Sequence, residues 1–149
     1  MTELYCLIPS PRAGRRFINL YRLVRATIYT GKWEQFVGSE GSGEHRAVLL
    51  LLAMLIGYPS EAAEIFRRLI ERVHNETWWE FIDSFQPRSG GPQGAEEWAE
   101  LMAKLRSLRP LIGDTEGCDV FREYAPQVAR YSFQSGRVLI AQRLPETDD

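Results

Sequence analysis

Apolar residues recur along this chain at intervals of three and four, the spacing that gathers them on one face of an α-helix. Ser10 followed by Pro11 predicts a helix start. A serine there accepts from a first-turn N–H, and proline lacks an N–H that would go unpaired anyway. From that cap, Phe17, Leu20, Tyr21, Val24 and Ile28 form one stripe, and Gly31 is expected to end the helix. A second helix is predicted from Gly43 to Ile56, stopped by Gly57-Tyr58-Pro59. Residues 48–55 are apolar all round, which predicts a central buried helix.

Ser60 is expected to cap a third helix, with Ile65, Phe66, Leu69, Ile70 and Val73 facing inward. Glu64, Arg67, Arg68, Glu71 and Arg72 make its solvated face, with i,i+4 pairs of opposite charge. Trp78, Trp79, Phe81, Ile82 and Phe85 predict a short aromatic helix. The proline and glycine content of residues 86–94 predicts an exposed, flexible loop. A fifth helix carries Trp98, Leu101, Met102, Leu105 and Leu108 and should stop at Pro110. A sixth runs from about Asp119 to Arg130, with Pro126 as its start or a kink. A β-prone stretch, 137–141, precedes an acidic tail.

The expected fold is all-α, a single-domain bundle of about six helices without internal repeats. Within the one domain, 1–149, the pattern separates a basic helix at 10–30, central helices at 43–85, C-terminal helices at 95–140 and a polar tail at 141–149.

Composition supports one ordinary globular domain. The chain has 149 residues, of which 44% are hydrophobic and 26% charged, which excludes disordered, collagenous and disulfide-scaffold classes. A net charge of −2 gives no global argument for nucleic acid or acidic lipid. Cys6 and Cys118 fit no metal-ligand spacing and read as reduced thiols, a disulfide being the lesser alternative. The longest apolar run, 47–56, is shorter than the ~20 residues a bilayer requires, and the N-terminus does not read as a signal peptide. The expectation is a cytoplasmic chain.

Few motifs carry chemistry. Gly38-Ser39-Glu40-Gly41-Ser42-Gly43-Glu44-His45 has the glycine spacing of a phosphate-binding loop. Glu44, however, stands where a lysine must reach the phosphates, and His45 where a hydroxyl must hold magnesium. A plain linker is the better reading. His45 and His74 have no ligand partners at metal spacing, and no Gly-x-Ser-x-Gly elbow occurs. No catalytic residue and no metal site is predicted.

One charge pattern is unusual. Between residues 4 and 33 there is no acid, while Arg12, Arg15, Arg16, Arg22, Arg25 and Lys32 are all basic. This is either a solvated face whose acids come from neighbouring helices or an anion-recognition surface, for which the planar arginine fork suits phosphate. Trp33, Trp78, Trp79 and Trp98 are read as core in preference to a surface for stacked bases or a partner.

The segment Ser10-Pro11-Arg12-Ala13-Gly14-Arg15-Arg16-Phe17-Ile18-Asn19-Leu20-Tyr21-Arg22-Leu23 resembles the opening of the helical lid in AAA+-like and STAND-like P-loop NTPases, most closely the KAP-type bacterial proteins. There a Pro-Arg near the lid start is followed by Lys/Arg-Arg-Phe and an Asn. Gly43-Glu44-His45-Arg46-Ala47, Gly57-Tyr58-Pro59 and the segment from Pro126 to Phe133 extend the likeness to about half the chain.

The resemblance implies a sensor arginine, Arg12, that reaches nucleotide phosphates, with Arg15 and Arg16 as neighbours. Walker A, Walker B and a parallel sheet are missing from the pattern. The implied function is therefore a non-catalytic C-terminal lid and regulatory domain. ATP would belong to the complete protein, and the P-loop core would act in cis or in trans, with a protein effector as further partner. The alternative is a stand-alone helical interaction module, in which Trp78, Trp79 and the leucine-rich helix leave an exposed apolar patch. A third reading, DNA-backbone binding by the Arg12–Lys32 surface, has net charge against it, so nucleic acid is not expected.

Overall fold

Every residue from 47 to 55 is buried, so the helix that carries them has neighbours on all sides. In the computed structural model, which describes residues 2–39, 43–71, 75–85, 92–113 and 117–131, that helix is α3 (His45–Gly57). Around it lie α1 (Pro11–Ala26), α4 (Pro59–Glu71), α8 (Cys118–Ala129) and a 3-10 segment, Thr2–Leu7. Shorter helices complete the shell: α2 (Trp33–Val37), α5 (Trp78–Asp83) and α7 (Arg109–Ile112), with the longer α6 (Pro92–Ser107). The fold is all-α, with no strand among the described residues.

Local chemistry explains most boundaries. Ser10 caps α1 by accepting from the Ala13 N–H at 3.2 Å, and Pro11 occupies the first turn. Thr77 caps α5 in a reciprocal capping box with Glu80. Gly38, at φ 67°, ends α2 in a conformation that other residues rarely adopt. Trp78 stacks on Phe121 of α8 with ring centroids 3.9 Å apart, and Phe85 stacks on Trp98 of α6 at 4.7 Å. These aromatic pairs fasten α5 and α6 to the core.

The structure corrects several boundaries. There are eight α-helices among the described residues where about six were expected, the short α2 and α7 supplying the difference. α1 ends at Ala26, well before Gly31, because Thr27 turns its hydroxyl back onto the Val24 carbonyl at 2.6 Å. α4 starts at Pro59, ahead of Ser60, since proline is accommodated in a first turn. For the same reason Pro92 opens α6, so residues 92–94 belong to a helix and not to the expected 86–94 loop. Pro110 likewise sits in the first turn of α7 and does not end α6, which stops at Ser107.

Pro126 lies inside α8, which continues to Ala129 despite the missing N–H. Arg72, Val73, His74, residues 86–91, the β-prone stretch 137–141 and the polar tail, for which the pattern gave expectations, lie outside the described residues.

Candidate functional site

The basic surface is built by α1. Phe17 and Val24 point into the core, which turns Arg12, Arg15, Arg16, Arg22 and Arg25 outward. Their surroundings divide them. Arg16 donates to the Tyr131 carbonyl at 3.4 Å, tying α1 to the end of α8. The Arg25 guanidinium lies 4.8 Å from the Trp33 ring centroid, and Lys32 pairs with Glu123 of α8. Arg12, Arg15 and Arg22 form no ion pair among the described residues. The expected cluster of Arg15, Arg22 and Arg25 thus keeps its first two members on one line, three and four residues either side of Ile18, while Arg25 turns to Trp33.

Beside this surface runs an apolar groove of about 580 Å³ between the Thr2–Leu7 segment and the first half of α1. Leu4, Tyr5, Ile8, Phe17 and Ile18 line it, and Arg15 stands at its edge. Tyr5 and Ile18 are 61% and 42% exposed, large for apolar side chains facing water.

A second groove, about 430 Å³, lies on the other side of the same segment. Cys6, Glu61, Glu97, Glu100 and Lys104 line it, and Pro9 borders both grooves. Here Tyr58 donates to Glu100 at 2.9 Å and accepts from Lys104 at 2.7 Å, and Lys104 pairs with Glu100 at 2.7 Å. Glu61 is buried; burial, opposed by a backbone hydrogen bond and reinforced by Glu97, holds its carboxyl above the usual range.

The two tryptophans offered as a partner interface are not available to one. Trp78 is fully buried against Phe121, and Trp79, 2% exposed, donates its indole N–H to the Gly113 carbonyl at 2.7 Å. The leucine-rich α3 is also buried, so neither leaves an apolar patch. Exposed apolar surface lies instead at the Tyr5–Ile18 groove, where the short Thr2–Leu7 segment meets α1, and at Leu23, Tyr29 and Val37.

The glycine-rich stretch presents no cradle at its C-terminal end. Glu44 turns inward and accepts from the Tyr124 hydroxyl at 2.5 Å and from Gln35 at 2.6 Å, while His45 Nδ1 lies 3.0 Å from the Phe36 carbonyl. Burial first, and Glu44 second, raise the Tyr124 phenol above its ordinary value. Glu40, Gly41 and Ser42 lie outside the described residues.

Both cysteines are free thiols, Cys6 exposed and Cys118 buried. Burial pushes the Cys118 thiol up to about 12, which keeps it protonated and unreactive at neutral pH. Among the described residues no three His, Cys, Asp or Glu side chains converge to hold a metal, and no helix is long and apolar enough to cross a membrane. Comparison with protein-family models, curated proteins and solved structures finds no match to this chain.

Proposed function

We propose that this chain is a non-catalytic helical lid and regulatory domain of a STAND/AAA+-like ATPase, working in the cytoplasm. Arg12, in the first turn of α1, senses nucleotide phosphate, and the bundle relays that state to oligomerisation or to an effector. ATP is held by the P-loop core, joined to this chain or acting in trans.

The observation that supports this reading is the uncompensated charge of α1. Arg12 and Arg15 stand in its first turns with no acid in the first turn and no ion pair among the described residues. A cation at a helix N-terminus opposes the macrodipole, at a cost of about 0.3–1 kcal/mol. Guanidinium and helix dipole both favour an anion placed there, and a triphosphate meets that demand.

The test has two stages. An antibody against the chain reads its mass in the source cells, where a band far above 17.1 kDa marks fusion to a larger protein. The assembly that contains the chain is then purified and its ATP hydrolysis compared with the same assembly carrying Arg12→Ala. Loss of one phosphate contact made in the transition state lowers the rate on the order of tenfold or more, with the melting temperature unchanged. Hydrolysis at the wild-type rate removes the sensor role from Arg12.

A second reading, a stand-alone protein-interaction module, draws on the exposed Tyr5–Ile18 groove. It is separated from the first by the absence of any ATPase in that assembly.

A further inference from the structure

The two grooves are opposite in character and share a wall. Tyr5 and Ile8 face the apolar groove with Arg15 at its edge, whereas Cys6, between them in sequence, faces the groove that holds Glu61, Glu97 and Glu100. The cation in the acidic groove, Lys104, is already engaged by Glu100 and Tyr58. Among the described residues, Arg15 is the one charged side chain that lines the apolar groove, and the acidic groove lacks a free cation.

Adjacency decides what this complementarity can build. Patches of opposite charge on opposite faces of a molecule join copies head to tail into rings or open chains. Adjacent patches are different: a two-fold axis between them sets the arginine-edged apolar groove of each copy on the acidic groove of the other, so one axis satisfies both contacts and the assembly closes as a dimer.

We propose that two copies of this chain pair about a two-fold axis beside the Thr2–Leu7 segment, with Arg15 of each facing the Glu97–Glu100 edge of the other. Tyr5 and Ile18 are covered in the pair, which removes exposed apolar surface from water. A guanidinium delivered to the acidic groove also relieves the crowding of Glu61 against Glu97. The pairing stands apart from the sensor role of Arg12 and does not depend on it.

Sedimentation velocity of the whole chain across a wide concentration range tests the proposal. The expected result is a monomer–dimer equilibrium that added salt weakens. Arg15→Glu and Glu97→Arg, both at exposed positions, each raise the dimer dissociation constant by about a hundredfold, because each substitution occurs twice in a symmetric pair.

Mixing the two variants restores dimers, since every reversed charge then meets its opposite. A short bis-maleimide links two copies through Cys6, which is exposed and near the axis, and Cys6→Ser abolishes the link. A chain that stays monomeric at every concentration overturns the proposal. So does a dimer indifferent to both reversals, or growth into species larger than a dimer.

Discussion

The Tyr124 hydroxyl donates to Glu44 Oε2 at 2.5 Å, joining the middle of α8 to the residue that precedes α3. Both side chains are buried, so among the described residues the carboxylate depends on two side-chain donors, Tyr124 and Gln35, for the solvation it has lost. Tyr124→Phe removes one donor and leaves the charge in place. A loss of about 1–3 kcal/mol is expected, measured as a lower urea midpoint with an unchanged slope. Glu44→Gln, which keeps an acceptor and drops the charge, should cost less. Equal stability of Tyr124→Phe and the wild type would mean that the hydrogen bond contributes nothing.

Trp79 gives a contrast between a core residue and an interface residue. Its ring is buried, its N–H is bonded to the Gly113 carbonyl, and Arg109 lies over its face at 5.5 Å. Trp79→Ala should destabilise the fold by about 3–5 kcal/mol. Trp79→Phe keeps most of the volume but strands the carbonyl, for a loss of about 1–2 kcal/mol. Thermal melts of the two variants check this order. An alanine variant that melts with the wild type would return Trp79 to the surface.

How far the fold could be read in advance follows from the length of each element. α1, α3 and α4 run for three turns or more, so their apolar period is visible; the Ser10–Pro11 cap and the burial of residues 48–55 were both legible. α2 spans Trp33–Val37, little more than one turn, too short for any period to declare itself. The prolines misled for a different reason. Pro92 and Pro110 look like breakers in a string of letters, but in a first turn a proline has no hydrogen bond to lose.

The candidate site divides in the same way. The exposure of Arg12 and Arg15 is a property of one helix and was legible from the stripe of Phe17 and Val24. The two grooves take their walls from the N-terminal segment, α1, α4 and α6, and no local pattern encodes that meeting. Nor did anything beside Glu44 in sequence announce Tyr124.

Gly57 shows how a tertiary contact reverses a local preference. It is the last residue of α3, where alanine has the higher helix propensity by about 1 kcal/mol. A Cβ at Gly57, however, would collide with the backbone carbonyl of Leu7, which has no flexible end to swing aside. Gly57→Ala should therefore destabilise the chain and displace the Thr2–Leu7 segment from α3. Chemical denaturation gives the sign, and faster hydrogen exchange at the Thr2–Leu7 amides reports the displacement. A stabilised variant would show that the segment moves freely.

Glu61 makes stability depend on pH in an unusual direction. Its carboxyl is raised in the folded state, chiefly by burial, with Glu97 adding to the effect. The folded chain therefore binds this proton more tightly than the unfolded chain does. The stabilisation from that proton is complete below the unfolded pKa and is lost as pH rises through the folded value. Glu100 works oppositely: hydrogen bonds from Lys104 and Tyr58 lower its carboxyl, so its contribution fades as pH falls. The total curve mixes the two, but the difference between wild type and Glu61→Gln isolates Glu61. The glutamine variant should be the more stable at alkaline pH, and the gap should narrow or reverse at acidic pH, as the wild-type carboxyl takes up its proton. Urea midpoints of both proteins at alkaline and at acidic pH measure that difference. A gap independent of pH would mean that the Glu61 carboxyl titrates alike in the folded and unfolded chain.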